Sequence, residues 1–171
     1  INLSTINLRD RELFEEIGNV LDRWSFDPAH LVLELTESAV MSDPAFAMQI
    51  LKRLREMGLG LSIDDFGTGY SSLAYLKQLP VTEIKVDRSF VRCLAKDIGD
   101  QAIIRAVVAL AQDRQLTVVA EGVEDLATYN LLKELNCGMA QGYYVARPMP
   151  VQDYAKWLES SIWRPSRASN A

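Results

Sequence analysis

The chain has 171 residues, 49% hydrophobic and 24% charged, which is apolar enough to bury a sizeable core and is expected of one soluble globular domain. No apolar run reaches the roughly 20 residues of a membrane span and no basic-then-apolar leader opens the chain, so the expected compartment is the cytoplasm. With 18 basic against 23 acidic residues the net charge is −5, which excludes an electrostatic grip on long nucleic acid and requires recruited cations if the substrate is an anion.

In chain order, "INLS" reads as a strand, and a start there at Ile1 rather than at a methionine suggests an N-terminally truncated fold. Residues 10–24 follow as an amphipathic helix, with Leu13, Phe14, Ile17, Val20, Leu21 and Trp24 on one face. "LVLELTE" (31–37) is the next strand. Ser42-Asp43-Pro44 then caps a helix that carries Leu51, Leu54 and Met57 and stops at Gly58. "LGLSIDD" (59–65), "TEIKVD" (82–87), "LTVVAEG" (116–122) and "GMAQGYYV" (138–145) are short Val/Ile/Leu-rich strands of the kind buried on both faces. Helices are predicted at 71–78, at 98–114 with Ile103, Ile104, Val107, Val108 and Ala111 inward, at 125–135 and at 151–161. The tail from 162 to 171 is expected to fray, leaving 1–161 as one domain. Cys93 and Cys137 lack metal-ligand spacing and read as small buried apolar groups, and the lone His30 makes no histidine metal cluster.

This alternation predicts an α/β fold with a parallel sheet and right-handed crossovers. Counting "INLS", about six βα units are present, two short of the eight in a closed TIM-like barrel. In such folds the chemistry gathers at the carboxyl ends of the strands, and each strand here ends on a polar group: Asn2, Glu34, Asp64 with Asp65, Lys85 with Asp87, Glu121, and Gln141. Taken singly, Glu34 or Lys85 could be a salt-bridged core group, Asn2 a turn former and Gln141 a solvated edge. Together they form a bowl of carboxylates that calls for divalent metal, since Mg2+ and Mn2+ take oxygen ligands. The adjacent Asp64 and Asp65 suit a pair of ions, one carboxylate bridging both, as in two-metal phosphoryl chemistry. Gly67 and Gly69 of "FGTGYSS" could equally be no more than a tight turn.

Several motifs, "INLS", "LELTES", "DDFGTGYSSLAYL", "IKVDRSFV", "VVAEGVED" and "QGYYVARPMP", together resemble the EAL-domain cyclic di-GMP phosphodiesterases of bacteria. The resemblance implies a modified (β/α)8 barrel whose first strand runs antiparallel, and metal-dependent hydrolysis of cyclic di-GMP to linear pGpG. It implies Asn2 and Glu34 on a first metal, Asp64 bridging, Asp65 and Glu121 on a second, and Lys85 acting on the attacking water. A lysine among such cations would be pushed toward its neutral form. Glu124 and Gln141 would orient ligands or substrate, Asp87 would partner Lys85, and Glu37 would brace the loop Phe66-Gly67-Thr68-Gly69. That loop and the following helix imply a homodimer, and attached sensor or diguanylate-cyclase-like domains would place the protein in the cytoplasm or on the cytoplasmic side of a membrane-anchored sensor. The family's Glu-Ala-Leu motif and nearby arginine, which lie upstream of "INLS" in that family, are absent from this sequence. A non-catalytic cyclic di-GMP receptor is the alternative reading, followed by an interaction scaffold without ligand.

Overall fold

A computed structural model describes residues 1–68 and 78–163. Five strands, β1 (Val32–Thr36), β2 (Gly60–Phe66), β3 (Glu83–Val86), β4 (Thr117–Glu121) and β5 (Met139–Gln141), form one sheet in the order β1-β2-β3-β4-β5. All four pairings are parallel. Sequence neighbours being sheet neighbours is the winding of a barrel wall, whereas a doubly wound sheet reverses its order part-way.

Register and the period of two set what each face carries. Glu34 pairs with Ser62, Thr36 with Asp64, Lys85 with Val119 and Glu121 with Gln141, so the polar strand-end groups share one face. The opposite face bears Leu33, Leu35, Leu61, Ile63, Ile84, Val86, Val118 and Ala120, all buried. Against that face pack Leu51 and Leu54 of α4 (Pro44–Glu56) and Ile104, Val107, Val108 and Ala111 of α6 (Ile98–Asp113). Burial on both faces holds for the middle strands. In β1 alternate residues are at least partly exposed, and in β5 none of the three is buried, as expected of strands that end the described sheet.

The helices begin where their caps say. Asp43 accepts from Phe46 N–H ahead of Pro44, Asp97 accepts from Gly99 and Asp100 N–H, and Asp125 accepts from Thr128 N–H at the start of α7 (Leu126–Glu134). Three short helices break the expected pattern: α1 (Thr5–Leu8), α3 (Glu37–Ser42) and α5 (Arg88–Arg92). "INLS" makes only a parallel bridge, Asn2 to Glu34, because Ser4 turns the chain into α1 through a reciprocal cap with Asn7. Likewise Thr36 caps α3, so strand β1 stops before Glu37, and Asp87 caps α5.

Other expectations are corrected by packing. The helix predicted from residue 10 is α2 (Leu13–Trp24), and it buries Leu13 and Leu21 while Val20 and Trp24 face outward. Ile103 of α6, expected inward, is 40% exposed. Cys93 is exposed at the end of α5, and Cys137 is half-buried, its Sγ directed at Val118 O and Met139 O. The strand expected over 138–145 ends at Gln141, because backbone bonds from Val123 N–H to Gln141 O and from Tyr144 N–H to Val123 O fold the chain into turns. The last helix is α8 (Val151–Ser160), after which Trp163 packs on Tyr129 and Tyr144 instead of fraying. The helix expected at 71–78 and residues 164–171 of the tail lie outside the described residues.

Leu61 marks the centre of this core. It is fully buried on β2, its N–H bonded to Thr82 Oγ1 at 3.0 Å. Leu61→Ala is expected to lower the free energy of unfolding by about 2–5 kcal/mol. Denaturant melts at constant m-value check it, and a loss below about 1 kcal/mol would show that the site collapses around the smaller side chain.

Candidate active site

Adjacent residues of a regular strand point to opposite faces, so Asp64 and Asp65 should not meet one ligand. The structure solves this with an irregularity. The register of β2 against β3 shifts between Ile63 and Phe66, and Asp65 adopts φ 55°, left-handed backbone that non-glycine residues seldom take. Asp65 N–H bonds back to Asp64 Oδ1 at 3.0 Å. As a result, carboxylate oxygens of Asp64, Asp65 and Glu121 all lie within 4.8 Å of one another.

Lys85 stands among them on the same face. Its Nζ is 2.7 Å from Glu121 Oε1, 3.1 Å from Glu34 Oε2 and 3.4 Å from Asp64 Oδ1, with the side chain 6% exposed. Burial works to lower the ammonium pKa, but hydrogen bonds to Glu121 and Glu34 outweigh it and hold the group well above its usual value. Burial raises the Glu121 carboxyl against the pull of Lys85, with Asp64 and Asp65 adding to the rise. Asp65 is raised by burial and then by Asp64. Carboxylates that crowd one another in this way, with one ammonium between them, are a strong sink for further positive charge.

The remaining candidates sit around this centre. Asn2 is set beside Glu34 by the backbone bridge, with Leu3 N–H on Glu34 O at 2.8 Å. Glu37 is buried at the start of α3, where Oε2 accepts Gly67 N–H at 3.1 Å. Gly67 has φ 98°, and a Cβ there would come within 2.9 Å of the Phe90 ring, so glycine is required. Phe66 is buried beneath the turn, Thr68 Oγ1 donates to Asp65 O at 2.8 Å, and Gly69 is outside the described residues. Asp87, expected beside Lys85, spends its carboxylate on capping α5 through Ser89 N–H. Although burial works to raise its pKa, the bonds from Ser89 lower it overall. Among the described residues, the ion pairs of Lys85 are those with Glu34, Asp64 and Glu121.

Beside the carboxylates opens a cleft of about 220 Å³, lined by Arg88, Arg92, Glu121, Gly122, Glu124, Gln141, Gly142 and Tyr143. Glu124 and Gln141 therefore line the same cleft as Glu121. Arg92 reaches Glu124 Oε1 at 3.4 Å, an exposed pair. Arg88, Arg92 and Tyr143 were not singled out from the sequence. The position of Arg88 directly after Asp87 was the available signal for that residue, since a helix capped at a strand's carboxyl end presents its first turn to the site, whereas Arg92, in the last turn of α5, carried no such signal.

A family model for the EAL domain matches residues 1–148. The chain belongs to the EAL domain family. This EAL domain is 48% identical over 152 residues to the bifunctional diguanylate cyclase/cyclic di-GMP phosphodiesterase MucR of Pseudomonas aeruginosa, covering 89% of this chain and 22% of that protein. A solved c-di-GMP complex of the PaMucR phosphodiesterase superposes with TM-score 0.85 at 48% identity, over 90% of this chain and 62% of that one. A manganese/cy-diGMP complex of Klebsiella pneumoniae BlrP1 gives TM-score 0.82 at 35% identity, over 86% of this chain and 38% of that one. The sheet described above is therefore part of the TIM-barrel-like wall of an EAL domain. Among the described residues, no helix is long and apolar enough to cross a membrane.

Proposed function

We propose that this EAL domain carries the catalytic centre of a phosphodiesterase that hydrolyses cyclic di-GMP to linear pGpG with divalent metal. The observation that carries the reading is the meeting of Asp64, Asp65 and Glu121 oxygens beside Lys85, at the carboxyl ends of parallel strands. The cleft next to them, lined by Arg88, Arg92, Gln141 and Tyr143, offers cations and an aromatic ring to a nucleotide. Support also comes from the names of the relatives and from the c-di-GMP and manganese complexes of the two solved structures.

The donor set fits a hard cation: it is all oxygen, it is crowded, and its charge exceeds what Lys85 offsets. Asn2 and Glu34 would hold one ion, Asp64 would bridge, and Asp65 and Glu121 would hold the second, with Mg2+ or Mn2+ as the occupants. Such ions, when bound, acidify water and neutralise phosphoryl charge. With its carboxylate partners engaged by the ions, Lys85 would release its proton to solvent, and the neutral amine would orient the attacking water and take up the proton that water gives up. Glu37 would keep the Gly67 turn fixed so that Asp64 and Asp65 stay aligned, and Gln141 and Glu124 would seat the substrate. Asp87, by starting α5, would aim Arg88 and Arg92 at the cleft. The same reading includes a homodimer through the segment after Asp65, attached sensor or cyclase domains, and a cytoplasmic site of action.

The deciding experiment is chromatography of cyclic di-GMP incubated with the full-length protein and Mg2+ or Mn2+. Formation of pGpG that EDTA abolishes is the expected result. Tight binding by calorimetry with no pGpG under any metal would instead establish a non-catalytic receptor.

A further inference from the structure

The loops that follow β4 and β5 are joined into a single wall of the cleft. Val123 N–H donates to Gln141 O at 3.1 Å, and Tyr144 N–H donates to Val123 O at 3.0 Å. Glu121 at the end of β4, with Gly122 and Glu124 after it, thus shares a backbone seam with Gln141 at the end of β5 and Tyr143 after it. At Gly142 the seam is too close for any side chain, because a Cβ there would lie 2.2 Å from Val123 O.

Tyr143 and Tyr144 part at this seam. Tyr143 lines the cleft, whereas Tyr144 packs behind it on the core, its ring 5.6 Å from that of Tyr129 on α7. Against Tyr129 and Tyr144 stands Trp163, from the turn that follows α8. Its ring is 5.0 Å from Tyr129 at 65° and 5.8 Å from Tyr144 at 76°, edge contacts on both partners. Edge-to-face pairs fix orientation as well as volume, because the ring edge is drawn to the electron-rich face.

We propose that Trp163 is a positioning residue for the cleft: by locking Tyr144 against Tyr129, it holds the seam closed and so places Gln141, Tyr143 and Glu124 for substrate. The inference rests on the reading of the cleft as the place where cyclic di-GMP binds. Trp163 is not among the cleft's lining residues, Asp64, Asp65 and Lys85 are held by other contacts, and Glu121 is fixed by its place in β4 and by Lys85 at 2.7 Å, so the effect of Trp163 falls chiefly on substrate binding.

Steady-state hydrolysis of cyclic di-GMP with Mn2+ by the full-length protein, as wild type, Trp163→Ala, Trp163→Leu and Trp163→Phe, tests this. The alanine and leucine variants should raise KM about tenfold while kcat stays within about threefold, and phenylalanine, which keeps an edge for both tyrosines, should recover most of the loss. The leucine variant serves where alanine fails to fold. Hydrogen exchange should quicken at the Val123 and Tyr144 amides and stay unchanged at Leu61 and Ile63 in β2. An unchanged KM, phenylalanine no better than leucine, or exchange that quickens equally in β2 would overturn the positioning role. A wild type that forms no pGpG would sink the proposed reaction, and the exchange pattern alone would then decide the seam.

Discussion

Asp64→Asn is expected to abolish hydrolysis while leaving the fold intact. The substitution is nearly isosteric, the Asn oxygen can still accept the Asp65 N–H, and Lys85 keeps Glu121 and Glu34 as partners. What disappears is one negative charge at the point where three carboxylates meet, and with it the bridging ligand of the proposed ion pair. Loss of activity should well exceed the roughly 10–100-fold that follows removal of a supporting partner. Rates measured against Mn2+ concentration, with the number of bound ions counted by calorimetry, check it. Asp43→Asn is the control, since Asn caps α4 as well as Asp does. Wild-type turnover by the Asp64→Asn protein at ordinary metal concentrations would remove Asp64 from the centre of the chemistry.

Lys85→Met should have an effect of the same order by a different route. Methionine keeps most of the stem and loses the ammonium, so the water loses its proposed proton acceptor and turnover should fall by about 10²–10⁴, with substrate affinity within about tenfold. The metal-free variant should also melt earlier than wild type, because Glu34, Asp64 and Glu121 are left facing one another without a cation. Mn2+ should then raise its melting temperature by more than it raises that of wild type, since in the wild type the ion competes with the ammonium for the same oxygens. Single-turnover rates and melts with and without Mn2+ read both effects. Unaltered single-turnover chemistry would move Lys85 to a purely structural role.

The sequence foretold the strands and the acidic bowl because both follow from short-range regularities. Apolar runs of the right length mark buried strands, and polar groups at their carboxyl ends mark the site. It was less informative wherever tertiary contacts compete with local pattern. Val20 and Trp24 fit the helical face of α2 by spacing, yet the core is filled by Leu13 and Leu21. "INLS" has strand composition, but the cap formed by Ser4 and Asn7 ends it after one bridge. The shortening of β5 could not be read from "QGYY" because it depends on Val123, eighteen residues away (141 − 123), closing on Gln141 and Tyr144. The direction of the Lys85 shift depends on which carboxylates surround it, and that is a property of the folded bowl. Asp87 shows the same limit: a strand-end carboxylate can be spent on a helix cap.

The left-handed backbone at Asp65 sets folding and chemistry against each other. An L-residue with a Cβ gives up roughly 1–2 kcal/mol in that conformation, which glycine would not. Asp65→Gly is therefore the replacement that selection for thermal stability alone would favour, and it deletes one of the three carboxylates that meet there. Members of a lineage released from any demand for turnover should drift to glycine or asparagine at this position before they lose Phe66 beside it, whose burial serves the fold.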